Sequence, residues 1–156
     1  MQLNEQNKIV PLIAPADHAA GLTPSGFSME NAHHATIVVL WGAKDGSEAQ
    51  IELEAGTAHG TYDDHVPFVA KRTNADFVAA NGDVLSHDHD LETGEDYFYS
   101  AAASRMTVIE ISASSLPAGK TWVRVKIGSQ ATNQFAAAVA IIQPRYAPLT
   151  TAVRTA

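Results

Sequence analysis

The stretch that decides the fold is Ala35–Trp41, which reads Ala-Thr-Ile-Val-Val-Leu-Trp. A short, continuous apolar run rich in β-branched residues is typical of a strand that is buried on both faces. The pair Asp45-Gly46 follows this run, and beyond it Ile51 and Leu53 alternate with polar residues. Asp-Gly between two apolar segments is a hairpin signal. We therefore expect Ala35–Trp41 and Ala49–Glu54 to pair as a hairpin.

The rest of the chain repeats this pattern of short apolar segments between turns. Lys8–Ile13 is predicted to be a strand at a sheet edge or with a bulge, because Pro11 has no N–H to donate. Ala14–Gly26 contains two prolines and two glycines, and is predicted to be a loop. Gln134–Gln143 holds three consecutive alanines, which favour helix, but its apolar residues alternate and Pro144 follows at once, which favours a strand. Further strands are expected at Val66–Ala70, Tyr97–Ser100, Met106–Ser112 and Thr121–Ile127.

These segments amount to seven or eight short strands, at roughly the 8–12-residue spacing of a sandwich or barrel. A chain of 156 residues fits one domain. We predict an all-β fold, a single antiparallel β-sandwich or barrel of jelly-roll or immunoglobulin-like type. Residues 8–143 form its core, and residues 1–7 and 144–156 form extended N- and C-terminal arms.

Composition excludes several classes of function. The chain has no cysteine, which removes disulfide scaffolds, thiolate zinc sites and thiol catalysis. Its net charge of −7 opposes binding to a phosphate backbone. The first residues lack a secretory signal pattern, and the longest apolar stretch, Phe135–Ile142, is far short of the ~20 residues of a membrane helix. We expect a soluble protein made in the cytoplasm, with no nucleic-acid or membrane partner.

The strongest candidate for a metal site is Ser86–Asp96, where two histidines lie among five carboxylates. Asp88 begins a pattern that partly resembles a calcium-binding EF-hand loop, but Thr93 and Tyr99 stand where that loop needs glycine and glutamate. The His-x-His pair could supply two zinc ligands, and a third would have to come from elsewhere. Because blocks of like charge usually mark exposed segments, we expect a solvated acidic loop. Whether it binds a metal stays open.

Two further clusters invite a chemical interpretation. His33-His34 lies at the start of a strand, where adjacent side chains point to opposite faces, so we expect one packed and one exposed histidine rather than a metal site. His59 and His65 lie elsewhere. Asp63-Asp64-His65 could form a triad with a serine, but the chain has no Gly-x-Ser-x-Gly nucleophile elbow. It has no phosphate-binding glycine loop either.

Aromatic residues offer a last candidate, because exposed rings can stack on a sugar. Most aromatic side chains serve cores and interfaces, and we expect that role here. The residues concerned are Trp41, Tyr62, Tyr97, Phe98, Tyr99 and Trp122. We predict no catalytic, cofactor-binding or metal-binding residue, no cofactor and no enzymatic activity.

A set of strand ends and turns shares its pattern with a known group of proteins. These segments are Ile9–Asp17, Gly21, Phe27–Ala32, Ile37–Leu40, Phe135–Ile142 and Pro144–Ala147. In them the chain resembles small structural proteins of tailed bacteriophages, encoded near the major capsid protein. The resemblance spans most of the chain and includes no catalytic signature.

The resemblance implies a virion component, a head decoration (cement) protein on the outer capsid surface. Its implied partners are the major capsid protein and further copies of itself, in a dimer or trimer, with one or both arms contacting neighbouring subunits. A tail-tube or head–tail virion protein is one alternative. A small carbohydrate- or metal-binding β module is the other.

Overall fold

The computed structural model describes residues 7–44, 50–73, 85–89, 104–129 and 133–145. These residues form ten strands and one short 3-10 helix, η1, and no α-helix. The elements are β1 (Lys8–Asp17), β2 (Phe27–Ser28), β3 (Ala32–Lys44), β4 (Ile51–Gly56), β5 (Asp64–His65), β6 (Val69–Thr73), β7 (Leu85–His89), β8 (Arg105–Ser112), η1 (Ala113–Ser115), β9 (Trp122–Ile127) and β10 (Gln134–Pro144). The strand predicted at Tyr97–Ser100 and the turn at Asp45-Gly46 lie outside the described residues.

The strands form two antiparallel sheets that pack face to face. The larger sheet has the order β1-β10-β3-β8-β6-β7, and the smaller has the order β2-β9-β4-β5. One hydrophobic core lies between them, with side chains from both sheets. The predicted all-β antiparallel sandwich is therefore confirmed. The barrel alternative is wrong, because the described strands form two separate sheets that do not close on each other.

The predicted hairpin is wrong. β3 lies between β10 and β8 in the larger sheet, whereas β4 lies between β9 and β5 in the smaller one. The inward side chains of the two strands, such as Val39 and Leu53, meet across the core instead of side by side. A turn signal predicts that the chain reverses, but it does not determine which sheet the next strand joins.

The first and last long strands lie side by side at one edge of the larger sheet. β1 is an edge strand with register shifts on both sides of Ile13, which confirms the prediction drawn from Pro11. It continues to Asp17, so the segment predicted to be a loop from Ala14 begins only after that residue. β10 confirms the choice of strand over helix. It includes Pro144, which the sequence analysis assigned to the C-terminal arm.

The central strand β3 is buried on one face only, which corrects the expectation that both faces are buried. Ile37, Val39 and Trp41 face the core and are at most 1% exposed, whereas Leu40 is 45% exposed. Inside the core, the indole N–H of Trp41 donates a hydrogen bond of 2.9 Å to Thr107 Oγ1. The burial pattern of β3 is thus that of a strand with one apolar face left open.

Candidate functional site

The outer face of the larger sheet is apolar across four neighbouring strands. On β10 the small residues Ala136, Ala138 and Ala140 face the core, whereas Phe135, Val139 and Ile141 are larger and face outward. The same alternation on β1, β3 and β8 brings further apolar side chains to this surface. We call it the outer apolar face, and it consists of Ile9, Pro11, Val38, Leu40, Met106, Val108, Phe135, Ala137, Val139 and Ile141.

The strand registers make this surface continuous. Pro11 stands opposite Val139, Val139 opposite Val38, and Val38 opposite Val108. Neighbouring strands lie ~4.8 Å apart, so side chains in such a row touch one another. A second row joins Leu40 to its partners on β10 and β8. The outer apolar face is therefore one contiguous patch rather than a set of isolated exposed residues.

A groove runs along this patch where β1 bends away from β10. It has a volume of about 330 Å³, and its lining includes Pro11, Val38, Leu40 and Val139. The register shifts of β1 on both sides of Ile13 open it, because each irregularity displaces the edge strand from its neighbour. The groove gives an otherwise flat sheet surface a concave feature that a partner side chain can enter.

Charged side chains are scarce on this face. Within the described residues, Glu110 on β8 and Lys71 on β6 both lie at the side away from β1, and both are exposed. Monomeric soluble proteins rarely expose large contiguous apolar patches, and such patches usually mark interaction surfaces. The geometry and the lack of charge make the outer apolar face the candidate site for binding another protein surface.

The outer face of the smaller sheet has the opposite character. Glu52 pairs with Lys126 across β4 and β9, with 2.7 Å between Oε2 and Nζ, and Glu54 pairs with Arg124. Glu52 is only 5% exposed, so its carboxylate is neutralised and covered by its own neighbours. As far as the structure describes the chain, this face pairs its charged groups with one another and leaves no comparable apolar surface.

The aromatic residues on this second face are already in contact with other side chains. The Arg124 guanidinium lies 4.4 Å from the centre of the Tyr62 ring, which covers one face of that ring. Trp122 makes an edge contact with His59, with 5.3 Å between ring centres. Trp41 lies in the core. Tyr97, Phe98 and Tyr99 lie outside the described residues.

The predicted Asp63-Asp64-His65 cluster forms an ion-pair cluster with a lysine. Lys120 Nζ contacts the carboxylates of both aspartates, at 3.0 Å from Asp64 Oδ2. The hydrogen bonds to Asp63, and then to Asp64, raise the pKa of Lys120 above its ordinary value. This cluster ties the segment around β5 to the segment that precedes β9. We assign it a structural role.

The remaining histidine candidates divide between the described and undescribed parts of the chain. His33 is exposed and His34 is partly buried, as expected of adjacent residues at the start of a strand. Ser86–His89 belongs to β7, and residues 90–96 of the acidic stretch lie outside the described residues. In the part of the chain that the structure describes, no three histidine or acidic side chains come together as a metal site.

The fold and its two unlike outer faces define a class of protein, an all-β sandwich with one apolar outer face. Comparison with family models, curated proteins and solved structures gives no match of any of the three kinds. The described residues include no helix long and apolar enough to cross a membrane.

The sequence analysis missed the outer apolar face, although the sequence contains the signal for it. The run Ala35–Trp41 predicts apolar surroundings on both sides of its strand. In the structure, the core surrounds one side, and the other side faces outward as part of the outer apolar face. The same signal is present in Phe135–Ile142, which belongs to β10, the strand beside β3. In this segment most of the large apolar residues alternate with alanines.

Proposed function

We propose that this chain is a non-enzymatic structural protein that assembles through the outer apolar face, and that it serves as a decoration (cement) protein on a tailed-phage capsid. The proposal that the chain assembles through this face rests on the open apolar surface of β1, β10, β3 and β8. The virion part rests on the resemblance in the strand ends and turns.

The occupant that we propose for this face is a second copy of the chain. In a two-fold contact the same patch meets itself, so any charge near the centre of the patch would stand close to its own copy. Among the described residues, the charged side chains beside this face are Lys71 and Glu110, which have opposite signs and lie at one side of it. The remainder is uncharged, although the whole chain carries a net charge of −7. Such a face suits contact with an identical face.

The size of the patch indicates a contact of modest strength. Four to five strands at ~4.8 Å spacing and about six residues at ~3.3 Å rise give a footprint of roughly 400 Å². Standard specific interfaces bury about 800 Å² per partner, so this contact lies at the low end. We therefore expect a dimer that depends on protein concentration. A lattice that holds many copies close together would favour it.

The same properties suit a protein that reinforces a shell. A decoration protein adds buried surface between capsomers and so stabilises a shell that is under internal pressure from packaged DNA. The rigid sandwich supplies the body, and the acidic exterior keeps the free protein soluble at high concentration. In this proposal the major capsid protein is the second partner.

The assembly part is tested by sedimentation velocity over a wide range of concentrations. Leu40→Lys places a charge in the middle of the outer apolar face, where the native side chain is 45% exposed. It should weaken the dimer at least tenfold, because burying an unpaired ammonium opposes association. Thr57→Lys adds the same charge at an exposed position after β4 and is the control. A wild-type chain that stays monomeric throughout, or a dimer that Leu40→Lys leaves intact, would show that this face is not the contact.

The virion part is tested by quantitative mass spectrometry of purified particles, with immunogold labelling. Hundreds of copies on the head would support the decoration role. Labelling of the tail would favour a tail-tube or head–tail protein instead, and absence from particles would refute a virion role. Deleting residues 1–7, or residues 146–156, which follow β10 and Arg145, tests the expected arms, since unchanged capsid occupancy in both variants would exclude them as contacts.

A further inference from the structure

A second candidate binding site lies at the end of the larger sheet where β3 begins and β8 and β10 end. It is a pocket of about 570 Å³. Its lining residues are His33, Ser112, Ser114, Gln143, Pro144 and Arg145. None of them belongs to the outer apolar face, and none is acidic. In a chain with 17 acidic and 10 basic residues, the described residues that line this pocket include one arginine and one histidine but no carboxylate.

A β-bulge places His33 in this pocket. Gln143 stands opposite His34, but the next residue, Pro144, stands opposite Ala32, so that His33 is an extra residue on β3. An extra residue in one strand breaks the alternation of faces and redirects its side chain, and such bulges are common beside functional sites. Pro144 has no N–H to donate, which ends the ladder at this point.

Arg145 is held in place by the chain that leads into β3. Its backbone N–H donates to Asn31 O at 2.9 Å, and its side-chain Nε donates to Ala32 O at 3.0 Å. These two bonds fix the start of the side chain and the plane of the guanidinium group. Within the described residues, no carboxylate forms an ion pair with Arg145. Its two terminal nitrogens form no hydrogen bond with a described residue, and they are the groups that Arg145 offers to a ligand in the pocket.

Two hydroxyl groups complete the polar lining. Ser112 Oγ and Ser114 Oγ lie 2.8 Å apart, and Ser112 Oγ also accepts a bond from the backbone N–H of Ser114. A hydroxyl rotates to donate wherever an acceptor is offered. Gln143 adds a side-chain amide at the same rim. The pocket thus brings together groups that can donate hydrogen bonds.

We propose that this pocket binds the phosphate or carboxylate group of a small organic anion, with Arg145 as its principal ligand. Guanidinium groups recognise both kinds of oxyanion through paired N–H donors, and charge-assisted bonds of this kind are about twice as strong as neutral ones. A volume of ~570 Å³ falls within the roughly 300–1,000 Å³ of small-molecule sites, which leaves room for the rest of the ligand. This proposal is independent of the virion role and of the dimer.

The test is an NMR titration of the full ¹⁵N-labelled chain with inorganic phosphate and, separately, with acetate, at constant ionic strength set by chloride. We expect saturable shifts at His33, Ser114 and the Arg145 side chain. Tighter binding of phosphate than of acetate would indicate a phosphate-bearing ligand, and the reverse a carboxylate-bearing one. Shifts that do not saturate with either anion, or that spread evenly over the basic residues, would overturn the proposal.

Variants assign the binding to Arg145. Arg145→Gln should lower the affinity at least tenfold, and Arg145→Lys should retain part of it because the charge remains without the planar fork. Lys120→Gln removes the same charge from the cluster with Asp63 and Asp64, outside the pocket, and should bind as the wild type does. Ser114→Ala leaves both backbone anchors of Arg145 in place and should lower the affinity severalfold. Equal affinities for wild type, Arg145→Gln and Ser114→Ala would exclude this pocket as the site.

Discussion

Val38 and Val39 are adjacent on β3 and face opposite sides of the larger sheet, so the same substitution at each separates the core from the outer apolar face. Val39 is fully buried between the sheets, and Val38 lines the outward groove. Threonine has nearly the shape of valine but replaces a methyl group with a hydroxyl. Val39→Thr therefore tests burial in the core, and Val38→Thr tests burial in an assembly.

The expected magnitudes follow from the surroundings of each side chain. At Val39 a hydroxyl without a hydrogen-bond partner would enter an apolar core, which costs about 1–3 kcal/mol. With a urea dependence of ~2 kcal/mol per M, a loss of about 2 kcal/mol lowers the midpoint of unfolding by roughly 1 M. At Val38 the hydroxyl is on the outward face, and the expected change is within about 0.5 kcal/mol.

Both variants are measured by urea unfolding at a concentration low enough for the chain to be monomeric. Sedimentation at high concentration then measures the dimer, where Val38→Thr should raise the dissociation constant roughly five- to tenfold, equivalent to about 1 kcal/mol. Equal destabilisation of the two monomers would show that both faces of β3 are packed within a single chain. Val39→Thr with wild-type stability would contradict the strand register itself.

Three further predictions concern the sandwich and its loops. A Cβ on Gly56 would stand 1.6 Å from a backbone oxygen in the following turn, so Gly56→Ala should lower the free energy of unfolding by about 3 kcal/mol or more. Gly60 has φ +86° and open space around it, so Gly60→Ala should cost only about 1–2 kcal/mol. Thermal unfolding measures both. Thr107→Val leaves the buried indole N–H of Trp41 without its acceptor and should cost about 1–3 kcal/mol in urea unfolding, more than Thr107→Ser, which keeps the hydroxyl. Because its two aspartate partners raise the pKa of Lys120, their stabilisation is complete below the ordinary value of 10.5 and is lost as the pH rises through the raised value. Lys120→Gln should thus be less stable than wild type near neutral pH, and urea midpoints should show the difference shrinking as the pH rises above the ordinary value of 10.5.

The strands themselves were largely predictable, because alternation is a local property of the sequence. Met106–Ser112 and Thr121–Ile127 match β8 and β9 to within one residue at each end. Pro11 correctly predicted an edge strand with a bulge. The pairing of strands was not predictable in the same way. Ala35–Trp41 and Ala49–Glu54 are close in sequence but belong to different sheets, since the choice depends on which partners bury both strands best.

The anion pocket could not have been predicted from the sequence. Its lining comes from three places far apart in the chain, and the bulge that redirects His33 depends on the pairing of β3 with β10. The two adjacent histidines were weighed as a metal site, and one packed and one exposed histidine were expected instead. Arg145 was not considered as a ligand, because its role depends on two backbone oxygens that the fold brings beside it.

The outer apolar face explains why Ala35–Trp41 resembles a strand buried on both sides. Selection on folding alone would favour polar residues at the outward positions, as on β4 and β9, where the glutamates of β4 pair with the lysine and arginine of β9. On β3 and β10 these positions hold Val38, Leu40 and Val139 instead. Leaving such side chains in water forgoes about 25 cal/mol per Å² of burial, and exposed apolar sheet surface invites aggregation. In the proposed dimer a second copy would cover this surface, and that contact would offset the cost of apolar side chains at the outward positions of β3 and β10.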